Sequence, residues 1–133
     1  MDNLIELYNI AERNHIDIDE FFMRELKAFA TEGAIVLNNK AISCSAELKV
    51  ILAHELGHHM KNAFYDIETT LETRERLEAR AIRWAVAELI PIDKLKKAFK
   101  LGYVMIYELA EYFNVTEDFM LKAIDVYKVT ENL

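Results

Sequence analysis

The 133-residue chain is short of cysteine, proline and glycine, with one, one and three of them. A lone Cys44 has no internal disulfide partner, which excludes the stapled secreted scaffolds and suits a reducing cytoplasm. Backbone punctuation is confined to Gly33, Gly57, Gly102 and Pro91. So few breakers favour long helices over a many-turned β-sandwich. No uncharged apolar run reaches the roughly 18 residues of a membrane span. The opening MDNLIELYNIAERN lacks the basic-then-apolar order of a secretory signal, so the chain is expected in the cytoplasm. Positive charge is also scarce. The 16 Lys+Arg stand against 23 Asp+Glu, a net charge of −7, which argues against a general affinity for the phosphates of nucleic acid.

What remains is a chain that is 53% hydrophobic and 29% charged, enough to bury one core. It shows no internal repeat, low-complexity stretch or linker, so residues 1–133 are expected to form a single domain. Leu4, Ile5, Tyr8, Ile10 and Ala11 fall at helical spacing across 2–14. Asp19 is expected to cap a second helix, from Glu20 to about Ala28. Ala34-Ile35-Val36-Leu37, ending in Asn38-Asn39, reads as a buried strand whose partner lies in 27–30 or 41–43. Ser43 or Ser45 then caps a helix over 46–61. Thr69 and Glu72 form a capping box for another that reaches Ile90, where Pro91 stops it. Asp93 starts a short helix to Lys100, closed by Gly102. Helices over 103–113 and 117–129, the second capped by Thr116, form a C-terminal extension packed on the rest. The expected fold is α+β, mostly helical, with a small β-sheet beside the 46–61 helix.

That helix carries the chemistry. Residues 54–58 read His54-Glu55-Leu56-Gly57-His58, an H-E-x-x-H pattern. Two histidines one helical turn apart stack on one face and can reach the same ion. Two imidazoles and a carboxylate suit Zn2+ and leave one position open. Glu55, about 100° round the helix, can face the water that the metal activates and serve as general base. Gly57 inside the helix costs about 1 kcal/mol relative to Ala, so a strand or substrate backbone is expected to come close there. For the third ligand the next helix offers Glu72, Glu75 and Glu78. Glu78 shares the inward stripe of Ala81, Ile82, Ala85 and Leu89 and is the best candidate, with Glu75 the fallback. Ala81 and Ala85 are small enough to let the two helices approach closely.

These residues resemble the ImmA/IrrE metallopeptidase family. Its members pair an AHELGH helix with a second helix of the form E-x-x-A/N-x-x-F/W-A, followed by L-[LIM]-P. Here Ala53 precedes the HELGH run. Trp84-Ala85 and Leu89-Ile90-Pro91 stand at the matching offsets from Glu78. The likeness extends to AIVLNN upstream and to Glu108–Val115 downstream, about residues 30–125 in all. The resemblance implies a zincin-like domain with one zinc held by His54, His58 and Glu78, and Glu55 as general base. It further implies cleavage of a helix-turn-helix repressor of a phage or mobile element, which relieves repression. The competing reading is a regulatory binding module, an anti-repressor or antitoxin partner, with a structural or vestigial metal site.

Other residues have plainer readings. His59 points about 100° away from His58, so it is expected to lie on the polar outside, with oxyanion stabilisation or contact with substrate the alternative. Tyr65 is a second oxyanion candidate. His15 is expected to face solvent and Cys44 to be a small packed residue. Residues 104–127 mimic a helix-turn-helix, but acidic residues outnumber basic ones there, and Val104, Ile106, Tyr107, Leu109, Phe113, Phe119, Met120 and Ile124 read as core. Lys94, Lys96, Lys97 and Lys100, beside Arg80 and Arg83, make a solvated helix face or a steering patch for an acidic partner.

Overall fold

A computed structural model describes residues 3–133. Helix α1 (Asn3–Arg13) leads into a sheet of three short strands, β1 (Asp17–Glu20), β2 (Ala28–Thr31) and β3 (Ala34–Leu37). Then come the long helices α2 (Ser45–Met60) and α3 (Leu71–Leu89), followed by α4 (Ile92–Lys100), α5 (Ile106–Phe113) and α6 (Glu117–Thr130). The fold is mostly helical with a small mixed sheet, as its composition and periodicity imply. No helix among the described residues is long and apolar enough to cross a membrane.

The strand order is β1-β3-β2, with β1 parallel and β2 antiparallel to β3. The buried Ile35 and Leu37 make β3 the natural centre, and each flank must be covered by a partner. One flank takes β2, which overlaps the expected 27–30 window and runs one residue past it. The other takes β1, which replaces the start of the expected helix over 20–28. The D-I-D-E run of β1 is a short, charged edge strand, and pairing with β3 outweighs its local preference. Residues 21–27 then form a loop. The Asn38 side chain fixes it by donating to the carbonyls of Met23 (2.7 Å) and Leu26 (3.1 Å), groups that a helix would have needed. Residues 39–41 form a single 3-10 turn rather than a strand.

Most helix ends fall within a residue or two of the expected positions, but three details differ. Cys44, exposed rather than packed, occupies the N-cap of α2 without a side-chain bond. Glu47 instead accepts from the Ser43 amide at 3.2 Å. Thr70, not Thr69, caps α3, accepting from the Thr73 amide at 3.2 Å. The Thr69 hydroxyl is turned back to the loop, where it accepts from the Asp66 amide. Helix α5 begins only at Ile106, while Thr116 caps α6 as expected, accepting from the Phe119 amide.

Every helix sends side chains into a continuous apolar core, from Leu7 of α1 through Leu52, Leu56, Val86 and Leu89 to Met120 of α6. Two polar contacts, one part-buried and one buried, tie the α5–α6 pair to it. The Lys49 ammonium donates to the Phe113 carbonyl at 2.7 Å, where the C-terminus of α5 concentrates negative charge. The Tyr127 hydroxyl donates to the Ile90 carbonyl at 2.6 Å. Leu109, Phe119 and Met120 are core, whereas Val104 and Tyr107 face solvent, contrary to the periodicity reading.

Candidate metal centre

Helices α2 and α3 cross in contact at Gly57. A Cβ added there would lie 2.3 Å from the Ala81 carbonyl oxygen and 2.9 Å from its carbon. The backbone that comes close is therefore that of α3, not a strand or substrate. Its effect is to bring Glu78, one turn before Ala81, against the histidines on either side of Gly57.

Glu78 Oε1 lies 2.7 Å from His54 Nε2 and 3.3 Å from His58 Nε2. One ligand atom from each of the three residues falls within 4.8 Å of the other two, a geometry that can hold a metal ion. Tetrahedral coordination at roughly 2.0–2.1 Å separates ligand atoms by about 3.3 Å, which matches the His58–Glu78 spacing. The shorter His54–Glu78 contact is a hydrogen bond that a cation would replace. The donor set of two nitrogens and one oxygen fits a borderline-soft divalent ion.

Neighbouring groups hold these donors in place. Past α2, Asn62 adopts a left-handed conformation (φ 49°), and the chain doubles back so that the Ala63 carbonyl accepts from His58 Nδ1 at 2.7 Å. That bond puts the proton on Nδ1 and leaves the Nε2 lone pair facing Glu78 and His54. The Tyr65 hydroxyl donates to Glu78 Oε2 at 2.5 Å, leaving Oε1 for the histidines. The Arg74 guanidinium stacks over the Tyr65 ring, 5.2 Å from its centroid.

Charge states follow from these contacts. Hydrogen bonding to Glu78, reinforced by burial, pushes the Tyr65 phenol up to about 12, so it stays a donor. Burial alone would raise Glu78. Hydrogen bonds from Tyr65 and His54, with the charges of His58 and His54, outweigh it and hold the carboxyl below its ordinary range. Glu55 is raised, first by burial and also by the charge of Glu78, while His54 and His58 pull the other way.

A cleft of about 300 Å³ opens onto this group, lined by Glu55, His58, Glu78, Phe64 and Tyr65 on one side and by Ala28, Phe29 and Ala30 of β2 on the other. Strand β2 lies at the edge of the sheet. The site thus joins the buried carboxylate of Glu55, the half-buried one of Glu78, a donor group that can hold a cation and a strand edge.

The remaining residues singled out by sequence lie elsewhere. Glu75 is exposed and outside the cluster, as is Glu72. His59 reaches the sheet, its Nε2 donating to the Ala34 carbonyl at 3.0 Å and its ring meeting the edge of Phe64. Burial, followed by the charge of His58, lowers its pKa against the opposing Ala34 bond. His15 closes α1 in a left-handed turn (φ 56°), and Lys94, Lys96, Lys97 and Lys100 are solvated on α4. The contact between Tyr65 and Glu78 was invisible in sequence. It depends on the path of the 61–70 loop, for which no local pattern exists.

The family model of the IrrE N-terminal-like domain, peptidase family M78, matches residues 19–125. No curated protein and no solved structure was found to match the chain. With that match spanning most of its length and a His-His-Glu metal-binding group at the crossing of α2 and α3, the chain belongs to the ImmA/IrrE metallopeptidase family.

Proposed function

We propose that residues 1–133 form a single cytoplasmic peptidase domain that uses one zinc ion, held by His54, His58 and Glu78, to cleave a helix-turn-helix repressor of a phage or mobile element. The observation that carries the peptidase reading is the meeting of His54, His58 and Glu78 beside buried Glu55 in a cleft walled by a strand edge. The repressor as substrate rests on the resemblance to short ImmA/IrrE members. When bound, zinc would polarise the scissile carbonyl and acidify water at the site.

The chain's own groups supply the rest. Glu55, with its carboxyl raised by burial, takes a proton from the attacking water and returns it to the leaving amine. The outer edge of β2 receives an extended segment by main-chain hydrogen bonding, which reads backbone and so accepts a protein chain. Phe29 and Phe64 line the cleft beside that track. Tyr65 keeps Glu78 oriented, and Ala63 does the same for His58.

Elemental mass spectrometry of the purified protein, beside Glu78→Ala and Glu55→Gln, tests the assignment. One zinc per chain is expected, lost in Glu78→Ala. In Glu55→Gln zinc should be retained while cleavage of a helix-turn-helix repressor offered as substrate falls to background. Zinc-free protein after metal-replete purification, or normal cleavage by Glu55→Gln, would overturn it.

A further inference from the structure

On the face of α3 turned away from Glu78, a second cleft of about 530 Å³ is lined by Lys61, Arg80, Arg83, Trp84 and Ala87. At about 100° per residue, Arg80 and Arg83 lie roughly 200° and 140° round the helix from Glu78, so this cleft is not an extension of the peptidase site. Through Arg83 it continues into a groove of about 400 Å³ between α3 and α6, where Ile82, Val126 and Val129 present apolar surface beside Lys122 and Asp125. Val129 is 86% exposed.

The charge here runs against the rest of the chain. Across both clefts four cations face one carboxylate, in a protein of net charge −7. Among the described residues none of Lys61, Arg80, Arg83 and Lys122 joins an ion pair. A cation row next to an open apolar groove is complementary to a segment that carries both carboxylates and apolar side chains.

We propose that this surface docks an acidic amphipathic segment of a protein partner, its apolar side chains in the α3–α6 groove and its carboxylates at Lys61, Arg80 and Arg83. The alternative anion, a nucleic-acid backbone, fits less well. Screening confines each charge to a Debye length of about 8 Å, so a short segment meets only the cations, whereas an extended polyanion also meets the acidic remainder. Its sugar-phosphate backbone also offers no aliphatic side chains to the groove. This surface does not depend on the peptidase reading.

Trp84 is the sole tryptophan and lines the cleft, so its emission reports occupancy there directly. The experiment titrates full-length protein with a synthetic peptide of about 12 residues, roughly three helical turns, with leucines on one face and glutamates on the other. A lysine-for-glutamate version and a single-stranded oligonucleotide of equal charge serve as probes in parallel. The acidic peptide should change Trp84 emission saturably. The response should weaken on going from about 50 to 200 mM salt and fall about tenfold in affinity in Arg80→Glu/Arg83→Glu. Both arginines are exposed, and Lys61→Glu/Lys122→Glu should give the same loss through different elements. Metal content should not change in either variant. The proposal is overturned if the acidic peptide gives no saturable response, if the lysine peptide or the oligonucleotide binds as tightly, or if both charge-reversal variants bind like the parent.

Discussion

Gly57→Ala is the most searching single change at the α2–α3 crossing. In an exposed helix this substitution stabilises by about 1 kcal/mol, because alanine is the better helix former. Here the new methyl would sit 2.3 Å from the Ala81 carbonyl oxygen, while ordinary contact begins near 3.4 Å. The obstacle is backbone on both sides, so no rotamer relieves it. The helices must separate by about 1 Å at this point, and overpacking of this kind costs about 1–3 kcal/mol. The net expectation is a loss of up to about 2 kcal/mol, read as a lower urea midpoint at unchanged slope.

The same movement carries a functional signature. Glu78 sits one turn from Ala81, and its Oε1 is 3.3 Å from His58 Nε2. Ligand distances in zinc sites hold within about 0.2 Å, so a displacement near 1 Å would take Glu78 out of reach of a zinc ion held by the two histidines. Gly57→Ala should therefore purify with much less zinc than the parent even when it remains folded by circular dichroism. A variant that gained about 1 kcal/mol and kept a full complement of zinc would refute the close approach and the positioning role derived from it.

Two further outcomes follow from named contacts. Tyr65→Phe removes the hydrogen bond to Glu78 Oε2 while keeping the ring under Arg74, so zinc affinity by chelator competition should fall roughly 10–100-fold with little change in stability; unchanged affinity would show that Glu78 is oriented without Tyr65. Glu88 of α3 is raised by burial and by the charge of Glu6, against the pull of Arg13. A carboxyl raised on folding favours its protonated form in the native state, so ionised Glu88 destabilises the fold. That penalty is fully present above its folded pKa and vanishes below the unfolded value. Glu88→Gln should then raise the melting temperature at neutral pH and lose its advantage below about pH 4, and an equal gain at both pH values would contradict the linkage.

How much of this was readable in advance follows from how local each signal is. The helices and the pairing of His54 with His58 were legible because the 3.6-residue period acts within one element and needs no partner. Glu78 was legible for the same reason, lying on the inward stripe of α3 where Glu75 does not. Strand β1 was not. Asp17–Glu20 has only Ile18 to mark it, and it is a strand because β3 has a second flank to cover. The orienting contacts from Ala63 and Tyr65 were equally hidden, since a left-handed Asn62 and the 61–70 loop decide them.

Gly57 lies between these cases. A glycine inside a buried helix declares that something must come near, yet it carries no information about what does, because the missing side chain records only an absent volume. The occupant is set by the packing of α3, a helix beginning 14 residues later, and the sequence placed a strand or substrate there instead. The His-His-Glu group thus depends on a residue that contributes no donor atom to it. His54 and His58 would present the same donors with alanine between them, but the carboxylate that completes the group could not arrive.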